Sequence, residues 1–183
     1  YGENMIEGTG VVSMGIESYG VALKDLSITS SHASAIFSWG IFDFLMENVC
    51  IENSTVDRWI LNIGYRTSTF TLRNVTMRNN LAYFAQNGMD LTGSIITLDN
   101  ILLINNQTES LSPFWYNRGG GCFDAYVSDA LTIRNSKFIN NTHYSEDGWA
   151  NIGISGWTDE PAAVVEIDNC LFASNATYGG ARD

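Results

Sequence analysis

The chain has 183 residues, 45% apolar and 16% charged, enough length and apolar content for one cored unit over residues 1–183 and too little charge for a disordered tail. Nine Lys and Arg against 20 Asp and Glu give a net charge of −11, which repels a phosphate backbone and excludes nucleic acid as a partner. The longest apolar stretch, Ala35 to Met46, is broken by Ser38, Gly40 and Asp43 and falls short of the roughly 18 to 20 residues of a helical membrane span.

The chain opens at Tyr1 with neither an initiator Met nor a basic-then-apolar leader, which reads as a mature protein or an internal piece of a longer one. Gly8 to Gly15 is rich in Gly and Val and reads as part of a repeat. From Val21 one phrase then recurs: VALKDLSITSS (21–31), FLMENVCIENS (44–54), FTLRNVTMRNN (70–80), ITLDNILLINN (96–106), LTIRNSKFINN (131–141) and VEIDNCLFASN (165–175). Its pivots are Asp25, Asn48, Asn74, Asn100, Asn135 and Asn169. Positions −4, −2 and +3 from the pivot are apolar in all six copies, and +1 is apolar or small. Period-2 alternation on both sides of a polar pivot predicts two short strands meeting at a bend.

A helical repeat would need i, i+3, i+4 spacing and would not tolerate this density of Asn, Thr and Gly. The pivot spacing of 23 to 35 residues fits one coil of a parallel β-helix, with coils stacked at about 4.8 Å. The fold class expected is therefore all-β, a single-stranded parallel β-helix of about six to seven coils. In this reading the pivot Asn falls on the inward parity of the first strand and forms a stacked ladder inside the coil. Position −1 points outward and reads Lys24, Glu47, Arg73, Asp99, Arg134, Asp168, alternating in sign as an in-register stack would require.

Phe138-Ile-Asn-Asn141 and Phe172-Ala-Ser-Asn175 match an FxxN pattern, and Gly179-Gly180-Ala181 matches GGA. On these motifs the chain from about residue 21 onward resembles the repeats of polymorphic outer membrane proteins and similar right-handed parallel β-helix proteins. The resemblance implies a right-handed winding and a surface-exposed stalk or adhesin.

Five Asn-x-Ser/Thr acceptors occur, at Asn53, Asn74, Asn106, Asn140 and Asn175. Four sit at +5 or +6 from the pivot, a corner where a glycan would project into water, so glycans are expected on Asn53, Asn106, Asn140 and Asn175. Asn74 is a pivot and is expected to stay unmodified. These sequons point to a secreted or cell-surface glycoprotein.

The last two repeats are longer than the others and their extra segments are aromatic. Trp115 and Tyr116 in one, and Trp149 and Trp157 in the other, are the candidates for contact with sugar rings or a partner surface. Asp90, Asp124 and Asp159 lie ten or eleven residues before their pivots and are the candidate acids of a polysaccharide-cleaving row. His32 and His143 are remote from that row in the repeat, and no cofactor or metal motif is present. Cys170 at +1 reads as a small buried hydrophobe, Cys50 at +2 faces outward, and Cys122 has no assignment. The function expected is a non-enzymatic structural or adhesive glycoprotein that continues into further β-helix coils or stacks head-to-tail on copies of itself, with a polysaccharide-binding or polysaccharide-cleaving protein as the alternative.

Overall fold

The computed structural model describes residues 12–14, 18–29, 36–39, 41–56, 59–64, 69–83, 87–110, 121–145, 151–156 and 162–179. All regular structure among them is β. The first repeat holds β1 (Val12–Met14) and β2 (Ser18–Thr29), and the second holds β3 (Ile36–Trp39), β4 (Ile41–Glu52) and β5 (Thr55–Val56). The third follows with β6 (Leu61–Gly64), β7 (Thr69–Arg78) and β8 (Leu81–Tyr83), and the fourth with β9 (Asn87–Ile104) and β10 (Gln107–Ser110). The fifth comprises β11 (Gly121–Arg134), β12 (Lys137–Ile139) and β13 (Thr142–Ser145). The sixth comprises β14 (Ile152–Gly156), β15 (Val164–Asp168), β16 (Leu171–Ala173) and β17 (Ala176–Gly179). Among the described residues no helix is long and apolar enough to cross a membrane.

Each repeat pairs with the next, always parallel. The chain forms a large 12-stranded sheet and a 5-stranded sheet ordered β17-β13-β10-β8-β5. The −1 positions fall opposite one another: Lys24 pairs with Glu47, Glu47 with Arg73, Arg73 with Asp99, and Arg134 with both Asp99 and Asp168. The alternation of charge along the sequence thus gave the observed register. Behind that face, residues −4, −2 and +3 make continuous apolar rows, and the +1 row is apolar except for the buried Ser136 and the half-buried Cys170. Phe44, Phe70, Ile96 and Leu131 are fully enclosed, as are Met46, Leu72, Leu98 and Ile133 in the next row. Phe138 stacks on Phe172 at a centroid distance of 4.8 Å and an interplanar angle of 9°, whereas Phe44 and Phe70, also opposite each other, meet edge to face at 6.4 Å.

The pivot itself corrects the expectation. Asp25, Asn48, Asn74, Asn100, Asn135 and Asn169 all have φ between +49° and +56° and all are exposed. A left-handed residue interrupts the two-residue alternation, so −1 and the pivot both face out and +1 turns in. Asn and Asp tolerate this backbone better than other non-Gly side chains. The same device recurs five residues later, at Asn53, Asn79, Asn105, Asn140 and Ser174, again with positive φ. Position +6 then faces inward, and there lies the buried ladder: Ser54, Asn80, Asn106, Asn141 and Asn175.

In that ladder each amide closes on the backbone of the preceding repeat and on the side chain of the next. Asn106 Nδ2 donates to Met77 O of the preceding repeat (2.9 Å) and to Asn141 Oδ1 of the following one (3.0 Å). Its Oδ1 accepts from the backbone N–H (3.2 Å) and Nδ2 (2.9 Å) of Asn80. Asn80 reaches Ile51 O and Asn141 reaches Leu103 O by the same bond, each at 3.0 Å. Such bonds satisfy corner N–H and C=O groups that cannot join the strand ladders.

Asn106→Leu would leave several of these buried groups without partners, at about 1–3 kcal/mol for each. It is expected to lower unfolding stability by at least about 3 kcal/mol, whereas the exposed left-handed neighbour changed as Asn105→Gly should cost under about 1 kcal/mol. Urea or thermal unfolding of the two variants gives the comparison, and equal losses would contradict the inward placement of position +6.

Candidate functional site

Three side-chain ladders run side by side over the outer corner of the repeats. In the charged one, Glu47 accepts from Lys24 Nζ (3.1 Å) and from Arg73 (3.2 Å), and Asp99 accepts from Arg134 (3.0 Å). Lys24 chiefly, with Arg73, holds the Glu47 carboxyl below its ordinary range, and Asn135 with Arg134 does the same for Asp99. The groups are exposed, so these pairs fix register more than they stabilise. In the pivot ladder Nδ2 donates one repeat back, Asn48 to Asp25, Asn74 to Asn48 and Asn100 to Asn74, each at 2.9 Å, while Asn135 donates to the Asp99 carboxylate instead of to Asn100 (3.0 Å). In the third ladder Asn105 donates to Asn79 and Asn140 to Asn105, at 3.2 and 2.8 Å.

The sequon asparagines are divided between opposite faces. Asn53 and Asn140 stand at +5 and are exposed. Asn106 and Asn175 stand at +6 and turn inward; Asn106 is 2% exposed, and Asn175 donates to Phe138 O at 2.7 Å. Asn74, set apart above as an inward pivot, is in fact exposed in the outer ladder. A one-residue offset within the same corner therefore decides whether the amide nitrogen meets water or the buried ladder.

Asp90 and Asp124 are direct partners on β9 and β11. Asp90 is half-buried and accepts from Asn62 Nδ2 at 3.0 Å. Asp124 is fully buried, so bulk substrate cannot touch it as the chain is folded. On its far side Asp124 pairs with Gly153, where an added Cβ would stand 2.7 Å from Asp124 Oδ1. Among the described residues, no three His, Cys, Asp or Glu side chains group as metal ligands would. Asp159, Trp115, Tyr116, Trp149 and Trp157 lie outside the described residues, as does His32.

A buried cluster that no sequence motif marks forms where the fifth repeat meets its neighbours. Thr108 Oγ1 lies 2.8 Å from His143 Nδ1, and Cys122 Sγ donates to Asn106 O (3.3 Å) and Thr142 O (3.5 Å). The backbone N–H of Cys122 donates to Asn151 Oδ1 (3.2 Å), whose Nδ2 reaches Ala176 O (2.8 Å). The only prior signal was that Thr108 and His143 hold equivalent places in successive repeats, and they do pair. Burial pushes the Cys122 thiol up to about 12 and the His143 imidazole down to about 4. A protonated thiol and a neutral imidazole in a closed interior act as hydrogen-bonding core. Cys50 and Cys170 are half-buried and all three cysteines are free, with Cys170 packed against the core.

Compared with known protein families, with characterised proteins and with solved structures, the chain finds no match.

His143 gives the fold a pH dependence whose sign is fixed. Its folded pKa lies below the ordinary value of 6.5, so the unfolded chain binds the extra proton and stability falls as pH drops from about 6.5 toward 4. The expected loss between pH 7 and 5 is about 2 kcal/mol. His143→Asn should flatten the slope of unfolding free energy over that interval, whatever it does to the absolute stability, and an unchanged slope would show that the imidazole is not the titrating group.

Proposed function

We propose that the chain is a right-handed, single-stranded parallel β-helix of six to seven coils that serves as an extracellular structural or adhesive glycoprotein, one stretch of a stalk built by continuation of the helix. The observation that carries the reading is the parallel pairing across six repeats, which shifts between Val127 and Ala130 and then resumes with apolar opposite apolar and charged opposite charged. A rod of this kind lengthens by adding repeats at constant cross-section and gains stiffness from nearest-neighbour contacts alone. Its chemistry repeats along the axis, which suits a surface that is displayed or gripped. The right hand comes from the family resemblance, and the extracellular compartment from the sequons.

The geometry refines where glycans would sit. Asn53 and Asn140 present their amides to water at a left-handed corner, and Asn74 is accessible on the neighbouring ladder. Asn106 has both amide hydrogens engaged inside the protein, and a glycan there would abolish the buried ladder. Expression in a secreting eukaryotic host followed by glycopeptide mass spectrometry is expected to show occupancy at Asn53 and Asn140 and a bare Asn106. A folded product glycosylated at Asn106 would overturn this assignment of faces, and a secreted product bare at every sequon would remove the glycoprotein from the proposal.

A further inference from the structure

The last repeat exposes what the second to fifth repeats hide. Val165, Ile167 and Phe172 occupy the core rows of Leu131, Ile133 and Phe138, yet they are 46%, 47% and 42% exposed. Among the described residues β15, β16 and β17 pair only on the side of the fifth repeat. The first repeat differs: Ile28 is buried and Val21, Leu23 and Leu26 are partly so. The apolar edge is thus concentrated at one end.

The ladders carry a direction that states what the edge requires. In the buried ladder each backbone N–H and Nδ2 donates forward to the Oδ1 of the next Asn, as Asn141 does to Asn175 at 3.0 and 2.9 Å. The next Asn donates back to the +3 carbonyl, as Asn175 does to Phe138 O. At the edge, Asn175 N–H and Phe172 O are the corresponding groups with no described residue beyond them. In the pivot ladder Asn169 donates back to Asn135 (2.8 Å), so its Oδ1 awaits a donor from the following pivot. Asp168 closes the charged ladder with a negative charge.

Resting on the β-helix reading above, we infer that this edge docks one further parallel repeat strand of defined chemistry: a cation at −1, Asn at the pivot and at +6, apolar residues at −4, −2 and +3, and an apolar or small residue at +1. The charge complements Asp168, the pivot amide supplies a donor for the Asp168 and Asn169 oxygens, as Asn135 does for Asp99 and Asn169 for Asn135, and the +6 amide both accepts from Asn175 and donates to Phe172 O. A second copy of this chain docked head-to-tail meets the charge and, with Val21, Leu23, Leu26 and Ile28, the apolar rows, but neither amide. It would bring Lys24 to Asp168, but Asp25 has no N–H for Asn169 and sets a carboxylate against its oxygen. At +6 it would offer Ser31. Ser54 shows how a serine behaves at that position, turning its hydroxyl to Glu52 O of its own repeat at 3.2 Å. Two copies joined edge to edge about a twofold would instead oppose the acidic rows of Glu166 and Asp168.

The test adds labelled peptides to the intact 183-residue chain. One spans residues 131–145 and carries Arg134, Asn135 and Asn141; the other spans 21–35 and stands for the end of a second copy. Fluorescence anisotropy is expected to show the 131–145 peptide binding at least tenfold tighter than the 21–35 peptide. Asn141→Ser or Arg134→Asp in the first peptide should each weaken it about tenfold. Hydrogen exchange should register new protection at β15 to β17. Equal or tighter binding by the 21–35 peptide, or end-to-end oligomers of the chain in sedimentation, would replace this partner with a second copy. If neither peptide binds while the amides of β7, β9 and β11 stay protected, the docking inference fails and the structural reading stands; if those amides are also unprotected, the β-helix reading fails as well.

Discussion

The inward asparagine at position +6 is the constraint on which the other rows depend. A chain that turns a corner leaves backbone N–H and C=O groups pointing into a space that water does not reach, and each group left alone costs about 1–3 kcal/mol. A single carboxamide matches the need because it holds two donors and one carbonyl in a rigid plane. In Asn80, Asn106 and Asn141 those donors and that acceptor are shared between a backbone carbonyl behind, a backbone N–H behind and an identical amide ahead. The network works only if repeats stack at one strand spacing and in one register. That requirement then aligns the phenylalanines, aliphatics and charges in the remaining rows.

Left-handed residues make the corner possible. Two of them, at the pivot and five residues on, each place a pair of consecutive side chains outside and so bring +1 and +6 inside. Asparagine serves both purposes, tolerating positive φ on the surface and completing hydrogen bonds in the interior. The chain is rich in Asn for these two separate reasons, and their positions differ by a single residue. The surface that results is periodic: alternating charges, then two rows of amides, repeated at each layer. Acid pairs and nucleophiles are present, but Asp124 and Cys122 lie in the interior, where burial keeps the thiol protonated.

The same directional hydrogen bonding makes the two ends of the stack unlike each other. Asp25 can only accept, which suits the first member of a ladder whose donors all point backward, whereas Asn169 and Asn175 end their ladders with bonding capacity still directed forward. Polarity of this kind is built into a parallel stack, since every chain segment crosses each face in one direction.

Much of the architecture was legible in the sequence because it is periodic. The apolar rows at −4, −2 and +3, the apolar or small row at +1 and the alternating charges at −1 defined strands, stacking and register, since side-chain parity and unlike charges one spacing apart allow few alternatives. The direction of the asparagines was not legible. Extending strict alternation through Asn48 or Asn74 places the pivot inside, although an apolar +1 already signalled that the alternation had been broken. Only the backbone conformation, with φ near +55°, resolves that conflict, and with it the division of Asn53 and Asn140 from Asn106 and Asn175. The pairing of Thr108 with His143, and the burial of Asp124 behind them, likewise needed the fold, because contacts between residues 35 apart depend on how the intervening chain turns. The sequence by itself determined the rows; the tertiary structure decided which way each corner residue faces, because one left-handed residue reverses the parity of all that follow.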